Sequence, residues 1–380
     1  MRENTSEVKH KIWLSSPHMS GFEEKYINDA FASNWVAPLG PNVDGFEKDL
    51  ECYLKNQSFV ATLSSGTAAI HLALKLLNVT HGDEVLCQTK TFVASVNPVI
   101  YVGATPVFID SETETWNMCP VLLEKAILDR IKQGKKPKAI IAINLYGMPY
   151  NVSKIHAIAN KHDIAIIEDS AEALGSHYKN RACGTFGDFS ILSFNGNKII
   201  TTSTGGALVC RDNNTKKRAI FLATQAKDPG IDYNHSEVGY NYRMSNILAG
   251  IGRGQMQVLE DRVQSRRKNY DYYKHALKNI DDIEFLNEPE HFFSNRWLTT
   301  VLFKTKTMRD FILNALLEEN IEARPSWKPM HQQALYKNYP NYLNGVSDSL
   351  FDRGLCLPSG SNLSTLELDR IIDIINKYFG

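Results

Sequence analysis

From residue 58 to residue 168 the chain alternates short β-branched runs with helical stretches of about ten residues, and this rhythm restricts the fold more than any other feature. Strands are expected at Ser58–Leu63, Glu84–Cys87, Pro106–Asp110, Ala139–Asn144 and Ile164–Glu168. Helices are expected between them at Thr67–Leu77, Val93–Val102, Val121–Gln133 and Val152–Lys161. The run Ile164-Ala-Ile-Ile is wholly apolar, as in a strand buried on both faces. The pattern implies an α/β fold with a mostly parallel central sheet covered by helices. Ligands in such sheets bind beyond the carboxyl ends of the strands. The chemistry is therefore expected just after Leu63, Cys87, Asn144 and Glu168.

On either side the pattern changes. An amphipathic helix is expected at Glu23–Phe31 and another at Gly45–Leu54. Between them lies Asn34-Trp-Val-Ala-Pro-Leu-Gly-Pro41, a broken, apolar loop expected to cover a site or a partner subunit. Beyond Thr215 the chain turns helical, near 215–225 and 245–280. From about residue 282 a smaller α+β unit follows, with a strand at Trp297–Phe303 and helices at Met308–Glu318 and Leu366–Tyr378. Two domains are expected, residues 12–262 and 263–380, and a chain of 380 residues is long enough for both.

Several classes of function are disfavoured. Lys plus Arg and Asp plus Glu both number 42, and no basic run is long enough to track a phosphate backbone, so no nucleic-acid partner is expected. No apolar run approaches a membrane span, and the polar first ten residues look like a loose tail. The six cysteines lack a Cys-x-x-Cys, and the eleven histidines show no metal-ligand spacing. That pattern suits buried thiols in a cytoplasmic protein without a metal.

Three stretches carry chemistry. In Ser193-Phe-Asn-Gly-Asn-Lys198-Ile-Ile-Thr-Thr-Ser-Thr-Gly-Gly206, one lysine stands among small and polar residues between two apolar segments. Alone it reads as a solvated loop lysine; held in place, its amine suits a Schiff-base enzyme. Ser64-Ser-Gly66-Thr67-Ala-Ala69 follows a strand and opens a helix, which describes either an anion cradle or an ordinary N-cap. Glu168-Asp169 ends the most apolar strand, where a carboxylate is either a buried acceptor or the partner of a bound cation. An aspartate that keeps a pyridinium nitrogen protonated makes a cofactor an electron sink. Phe92, after the strand at Glu84, belongs either to the core or to a flat ring, and the other three elements favour the ring. The cradle, the aspartate and the lysine follow in that order on an α/β chain.

These residues resemble the DegT/StrS family of sugar aminotransferases over nearly all of residues 12–380. Ser65-Gly-Thr-Ala-Ala, Thr91-Phe-Val-Ala-Ser, Leu145-Tyr-Gly, Glu168-Asp-Ser-Ala-Glu-Ala, Ser193-Phe-Asn-Gly-Asn-Lys and Gly239-Tyr-Asn-Tyr-Arg-Met-Ser-Asn occur in the family's order. The resemblance implies the aspartate-aminotransferase architecture (fold type I) and pyridoxal 5′-phosphate (PLP) as cofactor. By the match Lys198 forms the Schiff base and Asp169 partners the pyridine nitrogen. Gly66, Thr67 and Ser193 hold the phosphate, and Phe92 and Ala171 flank the ring. Asn241 corresponds to a position that reaches the phosphate from a neighbouring subunit, which implies a homodimer with a shared site.

Within the family the likeness is to UDP-N-acetylbacillosamine aminotransferases. It is carried by Asn34–Pro41, Lys198-Ile-Ile-Thr-Thr-Ser, Ser294-Asn-Arg-Trp-Leu, Arg324-Pro-Ser-Trp-Lys-Pro-Met-His331 and Cys356-Leu-Pro-Ser-Gly. It implies transfer of an amino group from L-glutamate to C4 of a UDP-2-acetamido-2,6-dideoxy-4-keto-hexose, with ping-pong kinetics. Arg324, Lys328 and His331 are candidates for a nucleotide diphosphate, and Arg296 and Trp297 are expected from the other subunit. Glu172 stands where the family often has His or Gln, and Asn144 where His often precedes Leu-Tyr-Gly; both are expected near the cofactor and substrate. The same chemistry on a GDP- or dTDP-linked 4-keto-6-deoxy sugar is the alternative, and a non-catalytic regulator a more distant one. A Rossmann dehydrogenase is rejected, because Gly250-Ile-Gly-Arg-Gly254 lies in a helical stretch with no strand before it.

Overall fold

The computed structural model describes residues 10–55 and 58–379, so the expected N-terminal tail, His10 apart, lies outside the described residues. Five strands follow the alternation seen in the sequence: β1 (Phe59–Leu63), β2 (Glu84–Gln88), β3 (Thr105–Ile109), β4 (Ala139–Ile143) and β5 (Ala165–Asp169). The strands Phe189–Ser193, Gly206–Cys210 and Asn341–Tyr342 complete an eight-stranded sheet. In space the order is β1, Gly206–Cys210, Phe189–Ser193, β5, β4, β2, β3, Asn341–Tyr342. Every pairing is parallel except the two made by Gly206–Cys210. Both faces are buried, which is why these strands read as unbroken apolar runs. In β4, Ile141 and Ile143 enter one core while Ile140 and Ala142 enter the other.

The second unit is a four-stranded antiparallel sheet in the order Ile283–Phe285, Thr299–Phe303, Gly354–Leu357, Arg324–Pro325. Helices Lys306–Glu318 and Thr365–Phe379 cover it, packing Ile312, Leu316, Ile371 and Ile375 into its core. Ile12 packs into the same core, and the helix Leu259–Ala276 runs through the division expected at 262/263. We keep that division as a proposal.

Two element bounds change. The helix expected at Val93–Val102 breaks into a 3-10 turn, Val93–Ser95, and a short helix, Asn97–Tyr101. Pro98 lacks the N–H that a continuous helix would use, so the helix restarts there. The strand expected from Trp297 begins at Thr299, after Arg296 takes a left-handed φ of 52°. In the loop 34–41, Trp35, Val36 and Leu39 are exposed on the single chain. Cys52 is exposed, and the other five cysteines are buried and free.

A buried anion fixes the carboxyl end of β5. Glu168 is fully buried and has no cation against it among the described residues, yet six donors reach its carboxylate. Oε1 accepts from Asn144 Nδ2 at 3.0 Å, Ser170 Oγ at 2.8 Å and Gly184 N at 2.8 Å. Oε2 accepts from Phe186 N at 2.7 Å, Ser190 Oγ at 2.9 Å and, at 3.4 Å, Gly187 N. Glu168→Gln turns one acceptor into a donor facing donors. We expect a loss of about 3 kcal/mol or more in urea unfolding; an unchanged midpoint would contradict this account.

A second buried carboxylate ties the two sheets together. Asp110, just past β3, accepts from the backbone N–H groups of Asn344, Gly345 and Ser347 at 2.9 Å each, at the start of helix Val346–Arg353. Burial raises its pKa, but these hydrogen bonds outweigh burial and hold it below the ordinary aspartate value. A folded-state pKa below the unfolded one gives stability that is present above about pH 4 and lost as the pH falls through the folded value. Asp110→Asn should therefore be less stable near neutrality and lose less than the wild type between about pH 5 and pH 3, read by thermal melts across that range.

Candidate active site

The carboxyl ends of the strands open on a cavity of ≈ 290 Å³. It gathers residues from after β1, β2 and β5 and from the turn between Phe189–Ser193 and Gly206–Cys210. Of the four strand ends expected to carry chemistry, that of β4 contributes Ile143 but not Asn144.

Lys198 reaches the cavity from a turn whose two flanking strands pair antiparallel. Its backbone N–H donates to Asn195 O at 2.9 Å, and Thr202 N donates to Phe194 O at 2.9 Å, so the turn is closed on itself. The side chain is 12% exposed; Nζ lies 3.8 Å from Glu172 Oε1 and 4.2 Å from the centre of the Trp297 ring. It is not a solvated loop lysine. Burial pushes the pKa of its amine down, while Glu172 and Asp169 pull it up.

Asp169, the last residue of β5, is buried. Its Oδ2 accepts from Ser95 Oγ at 2.7 Å and its Oδ1 from Ala171 N at 3.0 Å. Ser95 Oγ is in turn 2.8 Å from Thr91 Oγ1. Burial raises the pKa of Asp169 against these hydrogen bonds and the Lys198 charge. Glu172 is also buried, and its Oε2 accepts from Tyr146 N at 2.7 Å. Burial raises its pKa too, opposed by Lys198 and the Tyr146 N–H.

The helix Gly66–Leu76 begins at the cavity wall. Ser65 is its N-cap, its hydroxyl accepting from Ala68 N at 3.0 Å, while Gly66, Thr67 and Ser193 line the cavity. So the ordinary N-cap and the open helix start are both present, on adjacent residues. The approach of two backbones makes this possible. A Cβ on Gly206 would lie 2.3 Å from Gly66 N and 2.4 Å from Ser65 C, so only glycine lets that strand press against the turn.

Phe92 is 49% exposed and lines the cavity, which removes it from the core. Ala171 lines it as well. Trp327 forms the wall beside Phe92, with ring centres 5.2 Å apart. Its backbone is held at both ends: N donates to Tyr146 Oη at 2.7 Å, and O accepts from Lys90 Nζ at 2.9 Å.

The substrate candidates fare differently. Asn144 is fully buried; it donates to Glu168 and to Ser170 Oγ at 2.8 Å and accepts from Tyr150 N at 3.1 Å, so its side chain belongs to the Glu168 cluster. Arg296 is buried outside the cavity, over the Tyr270 ring at 3.8 Å and donating to Leu286 O at 2.8 Å. Trp297 is buried and lines the cavity of its own chain. Arg324, Lys328 and His331 do not line it. Arg324 is exposed and paired with Glu322 at 2.9 Å, and Lys328 is exposed. His331 has both ring nitrogens engaged, with Thr89 Oγ1 and Asp348 Oδ1, each at 2.8 Å. Asn241 is exposed and away from this cavity. The sequence reading passed over Ser95 and Trp327, although each lies inside a motif it quoted; nothing in one chain distinguishes such residues from their neighbours before the chain folds.

Comparison with known proteins agrees with this geometry. Residues 17–376 match the DegT/DnrJ/EryC1/StrS aminotransferase family. The EpsN protein of Bacillus subtilis (strain 168), which carries the name of a pyridoxal phosphate-dependent aminotransferase, is 50% identical over 97% of this chain and 96% of its own. GDP-perosamine synthase of Escherichia coli O157:H7 is 36% identical over 97% of this chain and 98% of its own. The sugar aminotransferase Spr1654 of Streptococcus pneumoniae, in its PLP form, superposes with a TM-score of 0.88 at 28% identity, covering 97% of this chain and 99% of that one.

The residues present fit that cofactor. An amine and a buried carboxylate open on one cavity, and the glycine-permitted helix start on its wall offers backbone N–H groups to a phosphate. On these grounds the chain belongs to the DegT/DnrJ/EryC1/StrS family of sugar aminotransferases and depends on pyridoxal 5′-phosphate.

Proposed function

We propose that the protein transfers an amino group from L-glutamate to C4 of a nucleotide-linked 4-keto-6-deoxy sugar, with the GDP-linked sugar as acceptor. The observation that carries the transamination is the opening of Lys198 and Asp169 on one cavity. The GDP reading draws on the 36% identity to a GDP-perosamine synthase. The UDP-linked acceptor expected from the likeness of the stretches at 34–41, 198–203, 294–298, 324–331 and 356–360 is now the second reading; the diphosphate candidates Arg324, Lys328 and His331 do not line the cavity.

In this proposal Gly66, Thr67 and Ser193 would hold the phosphate, with Phe92 and Ala171 on the two ring faces. Bound PLP supplies an electron sink for the charge left when a proton leaves the carbon next to nitrogen. Asp169, fixed by Ser95 and the Ala171 N–H, would hold the ring nitrogen in its protonated form. Lys198 removes the proton from the amino donor and returns it one position away, then performs the reverse transfer on the sugar. The donor and acceptor use the same site in turn.

The test is the visible spectrum of the PLP-loaded protein. We expect glutamate to bleach the band and a GDP-linked 4-keto-6-deoxy sugar to restore it. Restoration by the UDP-2-acetamido sugar alone would favour the second reading, and no bleaching by glutamate would overturn the donor. Lys198→Ala should lower turnover by roughly 10² to 10⁴ or more, with near-UV circular dichroism unchanged.

The proposed enzyme is a cytoplasmic homodimer in which Asn241 completes the neighbour's phosphate site. Phe22, Phe31, Trp35, Val36 and Leu39 stand exposed on the single chain, an apolar surface suited to a second copy. Mixing Lys198→Ala with Asn241→Ala chains should yield hybrids with one intact site and hence more activity than either variant alone. A fully active monomer would refute the shared site.

A further inference from the structure

We propose that the face of Trp297 and the carboxylate of Glu172 form a docking place for the Lys198 amine, occupied whenever that amine is not bonded to the cofactor. The proposal rests on the reading of Lys198 as the Schiff-base lysine.

Lys198 Nζ lies 4.2 Å from the Trp297 ring centre and 3.8 Å from Glu172 Oε1. Both contacts favour the charged amine, the ring through its negative face and the carboxylate by direct attraction. Both are built to stay where they are. Trp297 Nε1 donates to Asn197 O at 2.7 Å, and its backbone N donates to Asn295 Oδ1 at 2.9 Å. Its carbonyl accepts from Arg266 Nη1 at 2.6 Å, a guanidinium buried in the helix Leu259–Ala276. On the other side, Glu172 Oε2 accepts from Tyr146 N at 2.7 Å, and Glu172 O accepts from Asn295 Nδ2 at 3.0 Å. Asn295 thus holds both walls.

Trp327 adds to the second wall. Its indole N–H is buried and makes no hydrogen bond of ordinary geometry with the described residues, yet it faces the Glu172 carboxylate closely enough to favour its charged form. The remaining titratable neighbours are Asp169, which repels Glu172, and Tyr146 and Cys356, both kept neutral by burial. Burial pushes the pKa of this amine down, and the Glu172 and Asp169 carboxylates oppose that push. A docked amine carries the proton that the return step needs: its N–H bond breaks, a C–H bond forms, and the electron pair stays on Lys198 nitrogen.

The test uses protein stripped of cofactor and mixed with PLP at a series of pH values, following the rate at which the visible band appears. Only the neutral amine attacks the aldehyde, so the midpoint of rate against pH reports the charge on Lys198. Glu172→Gln keeps the shape and removes the charge; we expect its midpoint to fall by roughly one to two pH units. Trp297→Leu, which removes the ring, should lower it by a smaller amount, and decides the matter if Glu172→Gln does not fold. A midpoint that stays or rises in the folded variant overturns the docking place. A wild-type protein that forms no band at any pH overturns the Schiff-base reading instead, so the two failures are distinct.

Discussion

The site depends on a carboxylate that takes no part in it. Glu168 sits one residue before the end of β5, fully buried, and burying a charge there is costly unless hydrogen bonds replace the lost water. Six donors do so, and they come from separate segments: Asn144 after β4, Ser170 after β5, the loop Gly184–Gly187, and Ser190 of the next strand. Satisfying one anion therefore fixes the ends of three neighbouring strands relative to one another. Asp169 is the next residue, and Asn144 N donates to Asp169 O at 3.1 Å. The orientation of Asp169 follows from its structural neighbour Glu168.

The far wall of the cavity is set by contacts between the two sheets. Lys90 is fully buried beside β2, and its amine donates to Ser326 Oγ and to Trp327 O, each at 2.9 Å. Burial without a touching counter-ion brings its pKa down to about 7. Thr89 meets His331 next door, and Asp110 holds the start of helix Val346–Arg353. The C-terminal segment thus closes over the strand ends by polar contacts with loop residues. Trp327 is carried into the cavity wall by this attachment, and Lys90, His331 and Asp110 act on the site through it.

The fold was largely legible because burial on both faces leaves a signature in one dimension. The strands and helices between residues 58 and 168 could be read from β-branched runs, their lengths and their breaks. The errors have local causes. Pro98 interrupts a helix that apolar content alone would continue, and the interruption coincides with Ser95, whose hydroxyl meets Asp169. Lys198, Asp169 and the Gly66-Thr67 helix start were legible because each follows a strand, and in a parallel sheet the carboxyl ends of strands share one edge.

The substrate candidates were less legible for an equally physical reason. Arg296, Arg324, Lys328 and His331 are residue types that bind anions, but the same types also satisfy carbonyls, carboxylates and aromatic faces, and here Arg296, Arg324 and His331 do so. The sequence by itself determined five strands of the sheet, their order along the chain and the edge where a ligand would lie, because these follow from short-range periodicity. Only the tertiary structure showed that Glu168 is the anchor, held by six donors. Only there do Trp297, Glu172 and Lys198 meet, and only there does Asn144 turn inward. Which of two adjacent polar side chains is satisfied by the protein, and which is left for a ligand, depends on donors far away in sequence.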